Sequence, residues 1–194
     1  MKRLAVAVSG KSGSGKTTLI AKIAKKLISK GYKVAITKHD PGDKAKFDFE
    51  GKDSYLFSSL GADVAVVSPK RTTVLLQSGL FGGSERVGSE AHDNKTEEFS
   101  PSKTECENDL NKLICYFGEF DYLIVEGLKF IPLPRITVFR DEIDERYKPF
   151  SDAYVTNLDG FSDENKPKFG LDDIENIIKW IDNNAKKGIK CKRS

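Results

Sequence analysis

A phosphate-binding loop motif, G-x-x-x-x-G-K-[ST], constrains the fold of this chain more than any other feature of the sequence. The motif occupies residues 10–17, which read GKSGSGKT. Residues 4–8 before it are apolar and partly β-branched, which predicts a buried strand. Residues 16–30 place apolar side chains on one face, which predicts an amphipathic helix that ends at Gly31. A strand, a glycine-rich loop and a helix in this order are the context that the motif requires.

This loop predicts a site for nucleotide phosphates and Mg²⁺, the alternative being a plain glycine-rich turn. Glycines let several backbone N–H groups point inward around an anion, and the helix N-terminus adds partial positive charge. Lys16 is expected to reach the β- and γ-phosphates, and the Thr17 hydroxyl to ligate Mg²⁺. The motif residues expected at the nucleotide are Gly10, Ser12, Gly13, Ser14, Gly15, Lys16 and Thr17.

Apolar strands alternate with amphipathic helices along the chain. This alternation predicts an α/β, three-layer P-loop NTPase fold with a mainly parallel sheet flanked by helices. A candidate β-hairpin extension joins residues 62–68 and 71–77. The other predicted strands are 32–37, 121–127, 135–139 and 153–156, and the other predicted helices are 51–62, 109–117 and 171–183.

We expect residues 1–185 to form a single nucleotide-binding domain with a polar insertion at about 78–108. The insertion has few apolar side chains, which is typical of a surface or disordered loop. Residues 186–194 form a basic tail without acids, so the net charge of +3 comes from this tail. We expect the tail to be a solvated, frayed end. Since no basic patch over the fold is indicated, nucleic-acid binding is not expected.

Composition excludes several other classes of protein. No apolar run approaches the ~20 residues that span a membrane, so no membrane partner is expected. Cys106, Cys115 and Cys191 are widely spaced and form no C-x-x-C pair, which fits a reducing cytoplasm and argues against a disulfide framework and a zinc site. His39 and His92 are the two histidines, too few for a histidine-rich metal carrier.

Two acids bracket the apolar segment DYLIVEG and are predicted to have different roles. Ligands of an open parallel sheet bind beyond the carboxyl ends of its strands. Glu126 lies at that end, so we expect it to orient Mg²⁺ through water or to position an attacking water, the alternative being a solvent-exposed acid. Asp121 lies about 16 Å away at ~3.3 Å per residue, so we expect it to be a cap or a surface residue.

Two further strands end at the same edge. Lys38, His39 and Asp40 follow the second strand, and Asp40 is a candidate Mg²⁺ ligand. His39 is either a hydrogen-bond donor to phosphate or substrate, or an ordinary loop histidine. Asp159 is placed to accept from N1–H and the exocyclic amine of guanine, but Asn157 stands where the fuller guanine motif has lysine. A polar turn therefore explains residues 156–159 equally well.

Taken together, these segments resemble the molybdopterin-guanine dinucleotide biosynthesis adaptor proteins, the MobB family. The combination of KHD, GKDS and VEG-x-K is more specific than the phosphate loop, which many families share. The similar segments are GKSGSGKTTLI, GYKVAITKHD, FDFEGKDSYLF with LGAD, DYLIVEGLK and PRITVFR, in the order that the family has.

The resemblance implies a GTP-binding homodimer with weak GTPase activity. Such a protein assists the attachment of GMP to molybdopterin beside the molybdenum cofactor guanylyltransferase and other molybdenum-cofactor biosynthesis proteins. GTP and Mg²⁺ are the implied cofactors. By the same resemblance Gly13, Gly15, Lys16, Thr17 and Thr18 bind phosphates and Mg²⁺, and Lys38, His39, Asp40, Asp48, Lys52, Asp53 and Glu126 line the site.

Three other functions compete with this one. A P-loop small-molecule kinase using ATP would need an acceptor site and usually an arginine-bearing lid, and the arginines here do not cluster, although Arg86 lies in the insertion. A metal-insertion GTPase for a nickel enzyme would need a histidine tract and paired cysteines. A non-enzymatic scaffold would hydrolyse GTP no faster than its Lys16→Ala variant. For the adaptor we expect slow turnover, since no cis arginine finger is evident in the sequence.

Overall fold

The computed structural model describes residues 1–38, 55, 64–67, 72–75, 103–117, 119–128 and 130–190. Within the chain, contacts separate two compact units, Met1–His39 with Ser100–Ser194, and Asp40–Phe99. The predicted helix at 51–62 lies outside the described residues except for Tyr55, which is helical and exposed. Most of the predicted insertion at 78–108 also lies outside them.

Eight strands are described, and seven of them form where the sequence predicts short apolar segments. Six of the eight build one sheet in the first unit, in which every pair of neighbours is parallel. Two more pair antiparallel in the second unit, which confirms the predicted hairpin. The described strands are β1 (Leu4–Ser9), β2 (Val34–Lys38), β3 (Val64–Val67), β4 (Thr72–Leu75), β5 (Tyr122–Glu126), β6 (Arg135–Val138), β7 (Ala153–Val155) and β8 (Lys168–Phe169). The sheet order is β2-β5-β1-β6-β7-β8.

The described helices are α1 (Lys16–Ser29), α2 (Lys103–Phe117) and α3 (Ile174–Asn184), with a 3₁₀ helix at Glu145–Phe150. α2 begins at Lys103, whereas the sequence predicted a start at Asp109. The predicted start was too late because the first turns of α2 are polar and only its second half shows an apolar stripe. The 3₁₀ helix and β8 were not predicted, since segments of six and two residues are too short to show a periodic pattern.

The core packs two helices against one face of the sheet. Alternate β1 side chains at Leu4, Val6 and Val8 join one buried cluster, and Ala5 and Ala7 point to the opposite face. Residues of α1 and α3 fill this cluster, among them Leu19, Ile20, Ile23, Leu27, Ile177, Ile178 and Ile181. The central strands β1, β5 and β6 are buried along their whole length. The predicted three-layer α/β fold is confirmed.

The start of the C-terminal tail is part of the fold, so the expectation of a frayed end is wrong for residues 186–189. Lys186 and Ala5 exchange two backbone hydrogen bonds of 3.0 Å as an antiparallel bridge. Ile189 is buried and its N–H donates to Arg3 O at 3.4 Å. The sequence pattern did not predict the burial of Ile189, because lysines dominate the residues around it. Residues 191–194 lie outside the described part of the chain.

Cysteine chemistry also differs from the expectation. Cys115 on α2 is disulfide-bonded, whereas the wide spacing of the cysteines argued for a reducing cytoplasm and against a disulfide framework. Spacing in the sequence reports poorly on disulfide pairing, because the fold brings distant segments together. None of the described helices is long and apolar enough to span a membrane.

Candidate functional site

The phosphate loop joins the carboxyl end of β1 to the start of α1 and depends on two special glycine conformations. Gly10 has φ +142°, and a Cβ there would lie 2.5 Å from the carbonyl oxygen of Val138 on β6. Gly15 caps α1 in the left-handed region, with φ +93°. Glycine is the residue that fits both positions, so the loop can pack closely on β6 while it turns into the helix.

The side chain of Lys16 folds back over the phosphate loop. Its Nζ donates to the carbonyl oxygen of Lys11 at 2.7 Å. Burial lowers the pKa of Lys16, and nearby Lys38 lowers it further, while Glu126 opposes this by favouring the ammonium. The Lys16 ammonium therefore lies in a partly desolvated site, where its attraction for an anion is stronger than in water.

Glu126 ends β5 beside the loop, as predicted. Parallel pairing places it in register with Val8 on one side and with Lys38 on the other. Its residue exposure is 8%, so the alternative of a solvent-exposed acid is wrong. Both carboxylate oxygens lie 3.4 Å from Thr17 Oγ1, and one lies 3.9 Å from Lys38 Nζ.

Thr17 and Glu126 offer oxygen donors of the kind that a Mg²⁺ site would need. Mg²⁺ prefers hard oxygen ligands and commonly takes one or two protein groups together with phosphate oxygens and waters. Thr17 offers a hydroxyl and Glu126 a carboxylate at the same place. Across the described residues no group of three His, Cys, Asp or Glu side chains comes together, so these residues supply no all-protein metal cage. The third candidate ligand, Asp40, lies outside them.

A cavity of about 290 Å³ opens between the loop, β2 and β5. It brings together eight residues that the sequence predicted and one, Arg140, that it did not. The signal for Arg140 was its position after the strand RITVF, at the edge where ligands bind. The lining residues are Ser12, Gly13, Gly15, Lys16, Thr17, Thr18, Lys38, Glu126 and Arg140.

Other predicted residues take different places. Gly10 packs beneath the loop against Val138 and does not line this cavity. Ser14 lines a neighbouring cavity of about 250 Å³ instead. His39, Asp40, Asp48, Lys52 and Asp53 lie outside the described residues, so their predicted roles stay predictions.

Residues 156–159 follow β7 at the same edge of the sheet. The Asn157 side-chain oxygen accepts from the N–H of Leu171 at 2.9 Å, and the Thr156 hydroxyl accepts from the N–H of Leu158 at 3.1 Å. Both polar groups therefore hold the turn. Asp159 is exposed and does not line the cavity at the loop. Its carboxylate is open to solvent, and hence to a ligand, as is the side chain of Asn157.

Arg135 on β6 is a buried residue that sequence reasoning missed. It is 2% exposed, and burial lowers its pKa to about 10. Its guanidinium donates to Ser9 Oγ, directly before the phosphate loop. It also donates to three carbonyl oxygens that follow Glu126, those of Gly127 at 3.2 Å, Leu128 at 2.9 Å and Ile131 at 3.3 Å. Arg135 thus ties together the two segments that carry the site. In the sequence it reads as an ordinary strand residue.

Comparison with known proteins gives a consistent result. The family model described as molybdopterin guanine dinucleotide synthesis protein B (MobB) matches residues 5–158. The molybdopterin-guanine dinucleotide biosynthesis adapter protein of Haemophilus influenzae is 27% identical over 148 residues, 76% of this chain and 69% of that protein. The Escherichia coli adapter protein is 30% identical over 135 residues, 70% of this chain and 65% of that protein.

Solved structures show the same fold. A crystal structure of molybdopterin-guanine biosynthesis protein B superposes with a TM-score of 0.62 at 24% identity, over 92% of this chain and 97% of that one. The crystal structure of Bacillus subtilis MobB gives a TM-score of 0.62 at 22% identity, over 91% and 96% of the two chains. At these identities the likeness concerns the fold.

Proposed function

The chain belongs to the family of molybdopterin guanine dinucleotide synthesis protein B, and from this premise we propose that it is a GTP-binding adaptor with weak GTPase activity. In this role it assists the conversion of molybdopterin to its guanine dinucleotide during molybdenum-cofactor biosynthesis. The observation that carries the proposal is the convergence of Lys16, Thr17 and Glu126 on one cavity at the carboxyl edge of the sheet.

In the proposed complex the loop holds the phosphates of GTP. Backbone N–H groups and the start of α1 face the phosphate chain, and Lys16 contacts the β- and γ-phosphates. Thr17 and Glu126 would hold Mg²⁺, directly or through water, and the ion would supply charge neutralisation at the phosphates. The pairing of Glu126 with Thr17 and Lys38 supports this arrangement, because it places anionic and cationic groups where a metal–phosphate pair needs both.

Guanine recognition is assigned to Asp159. Its exposed carboxylate can accept from N1–H and the exocyclic amine of guanine, a pair of donors that adenine lacks. The neighbouring Asn157 and Thr156 hold the turn through hydrogen bonds to Leu171 and Leu158. They would present Asp159 to the base without contacting it.

The adaptor role places the protein beside the molybdenum cofactor guanylyltransferase, as a homodimer in the cytoplasm. The curated relatives carry the name of adapter proteins of molybdopterin-guanine dinucleotide biosynthesis, which supports the adaptor role. Addition of the protein to a guanylyltransferase assay should increase the yield of the dinucleotide, and light scattering should give twice the mass of the 21.6 kDa chain. An unchanged yield would contradict the adaptor role, and a monomer would contradict the proposed dimer.

Calorimetric titration with GTP and with ATP, each with Mg²⁺, tests the nucleotide assignment. We expect tight binding of GTP, weak binding of ATP, and loss of both in Lys16→Ala. Lys22→Ala is the matched control, because Lys22 is an exposed lysine of the same helix whose Nζ pairs with Asp172. A preference for ATP would favour the kinase alternative, and equal affinities in wild type and Lys16→Ala would contradict a phosphate site at this loop.

A further inference from the structure

Arg140 lies at the boundary between the two cavities that adjoin the phosphate loop. The larger cavity contains Lys16, Thr17 and Glu126, and the smaller one contains Lys11 and Glu142. Arg140 lines both. In the sequence it directly follows the strand RITVF, more than a hundred residues beyond the loop.

The segment that carries Arg140 is anchored on both sides. The preceding Phe139 is 2% exposed, and its N–H donates to Val155 O at 3.0 Å. The following Glu142 accepts from Lys11 Nζ at 2.5 Å, which joins this segment to the phosphate loop itself. The backbone before Arg140 is therefore fixed to the sheet, and an exposed ion pair links the residues after it to the phosphate loop.

The side chain of Arg140 is held less tightly than those of Lys11 and Lys16. Lys11 is held by Glu142, and Lys16 donates to a loop carbonyl at 2.7 Å. In the described part of the chain, the ion pair of Arg140 joins its Nε to Asp141 Oδ1 at 3.9 Å. The Arg140 side chain is 62% exposed. Long, exposed ion pairs contribute little free energy, so the guanidinium can turn toward a stronger anion at small cost.

We propose that Arg140 is a nucleotide-binding residue that donates to the β- and γ-phosphates of the bound nucleoside triphosphate. The proposal rests on the proposed function of the loop. The phosphates that Lys16 and Thr17 address are the β- and γ-phosphates, and Arg140 shares their cavity. Its planar guanidinium matches two phosphate oxygens at once, which a lysine cannot do. The chain thus supplies in cis an arginine at the phosphate cavity.

Calorimetric titration of the full chain with Mg²⁺–GTP and, in parallel, with Mg²⁺–ATP tests the proposal. We expect Arg140→Gln to weaken binding of the nucleotide that wild type prefers by about tenfold or more, the usual effect of losing a charge-assisted hydrogen bond. Arg140→Lys should recover part of the loss. The matched control is Arg146→Gln, since Arg146 lies in the same segment but is held by Asp144 at 2.7 Å and lines neither cavity.

The outcomes separate this proposal from the preceding one. A loss in Arg140→Gln with Arg146→Gln within twofold of wild type, and with equal thermal unfolding midpoints, supports the role of Arg140. Equal affinities in Arg140→Gln and Arg146→Gln overturn it and leave the function of the loop intact. Preference for ATP with a loss in Arg140→Gln supports Arg140 and overturns the GTP assignment. Absence of binding of either nucleotide to wild type overturns both.

Discussion

Thr17 Oγ1 lies 3.4 Å from both carboxylate oxygens of Glu126, although 109 positions separate the two residues in the sequence. Parallel pairing of β5 with β1 creates this relationship, because it aligns Glu126 with Val8 at the entry to the loop. A hydroxyl and a carboxylate at one point are the oxygen donors that Mg²⁺ takes together with phosphate. The following prediction depends on this pair.

Glu126→Gln should weaken the effect of Mg²⁺ on GTP binding. We expect about a tenfold smaller gain in affinity on addition of Mg²⁺, because an amide is a poorer ligand or orienter than a carboxylate. Binding measured in EDTA should change little. The matched control is Asp121→Asn at the opposite end of β5, which should leave the gain from Mg²⁺ unchanged. An equal loss with and without Mg²⁺ would contradict a metal-related role for Glu126.

Gly10→Ala should destabilise the protein because its Cβ would lie 2.5 Å from the backbone oxygen of Val138. Neither the strand nor the loop can yield easily, so we expect a loss of about 2–4 kcal/mol in the free energy of unfolding. Gly13→Ala provides the comparison, since its φ is also positive, +79°, but no atom lies within 4 Å of its added Cβ. Its expected loss is about 1–2 kcal/mol. Urea unfolding measures both, and equal losses would show that the close approach to Val138 is unimportant.

Arg135→Met should cost about 3 kcal/mol, since the hydroxyl of Ser9 and three buried or partly buried carbonyl oxygens would lose their shared donor. Arg135→Lys keeps the charge but lacks the five-donor fork, so its loss should be smaller but still measurable. Urea unfolding again gives the comparison. A Met variant as stable as wild type would mean that these oxygens find other partners, and Arg135 would then not hold the two segments together.

The ionisation of Asp121 should make a pH-dependent contribution to the stability of the fold. Hydrogen bonds from the N–H groups of Lys33 and Lys2 hold the pKa of this carboxyl below its usual value. Because the folded state binds the proton more weakly than the unfolded chain does, the carboxylate stabilises the fold above the unfolded pKa of about 3.9. That contribution is lost as pH falls through the lower folded pKa.

We therefore expect Asp121→Asn to unfold at a lower temperature than wild type at pH 7, and the difference to shrink below about pH 4. Thermal unfolding of both proteins between pH 7 and pH 3 measures it. A difference that stays constant over this range would mean that the ionisation of Asp121 does not contribute.

Asp159→Ala should reduce the preference for GTP over ATP. We expect the affinity for GTP to fall about tenfold and that for ATP to stay within twofold, since the carboxylate is proposed to pair with donors that only guanine has. Asp163→Ala is the control, because Asp163 is a nearby acid that accepts a hydrogen bond from the Tyr154 hydroxyl at 3.0 Å. Parallel losses for both nucleotides would place the base elsewhere.

Local patterns predicted most of the elements of the main sheet. The segments LAVAVS, YLIVE and RITV are short, apolar and β-branched, and each is a buried strand. The stripes of α1 and α3 have the helical period and end near the predicted residues. Such patterns suffice because a strand or helix in a core needs apolar side chains at fixed spacing. β8 and the first turns of α2 lack that spacing and were missed.

The sequence by itself determined the phosphate loop, its flanking strand and helix, and the end of β5 at which Glu126 had to lie, because these depend on neighbouring residues and on one rule for parallel sheets. The tertiary structure decided which distant side chains join them. Three features arise from contacts between segments far apart in the chain. They are the buried guanidinium of Arg135, the position of Arg140 at the cavity edge and the pairing of Lys186 with Ala5. No local spacing encodes such contacts. They follow from the order in which the strands pair and from the need of buried polar groups for hydrogen-bond partners.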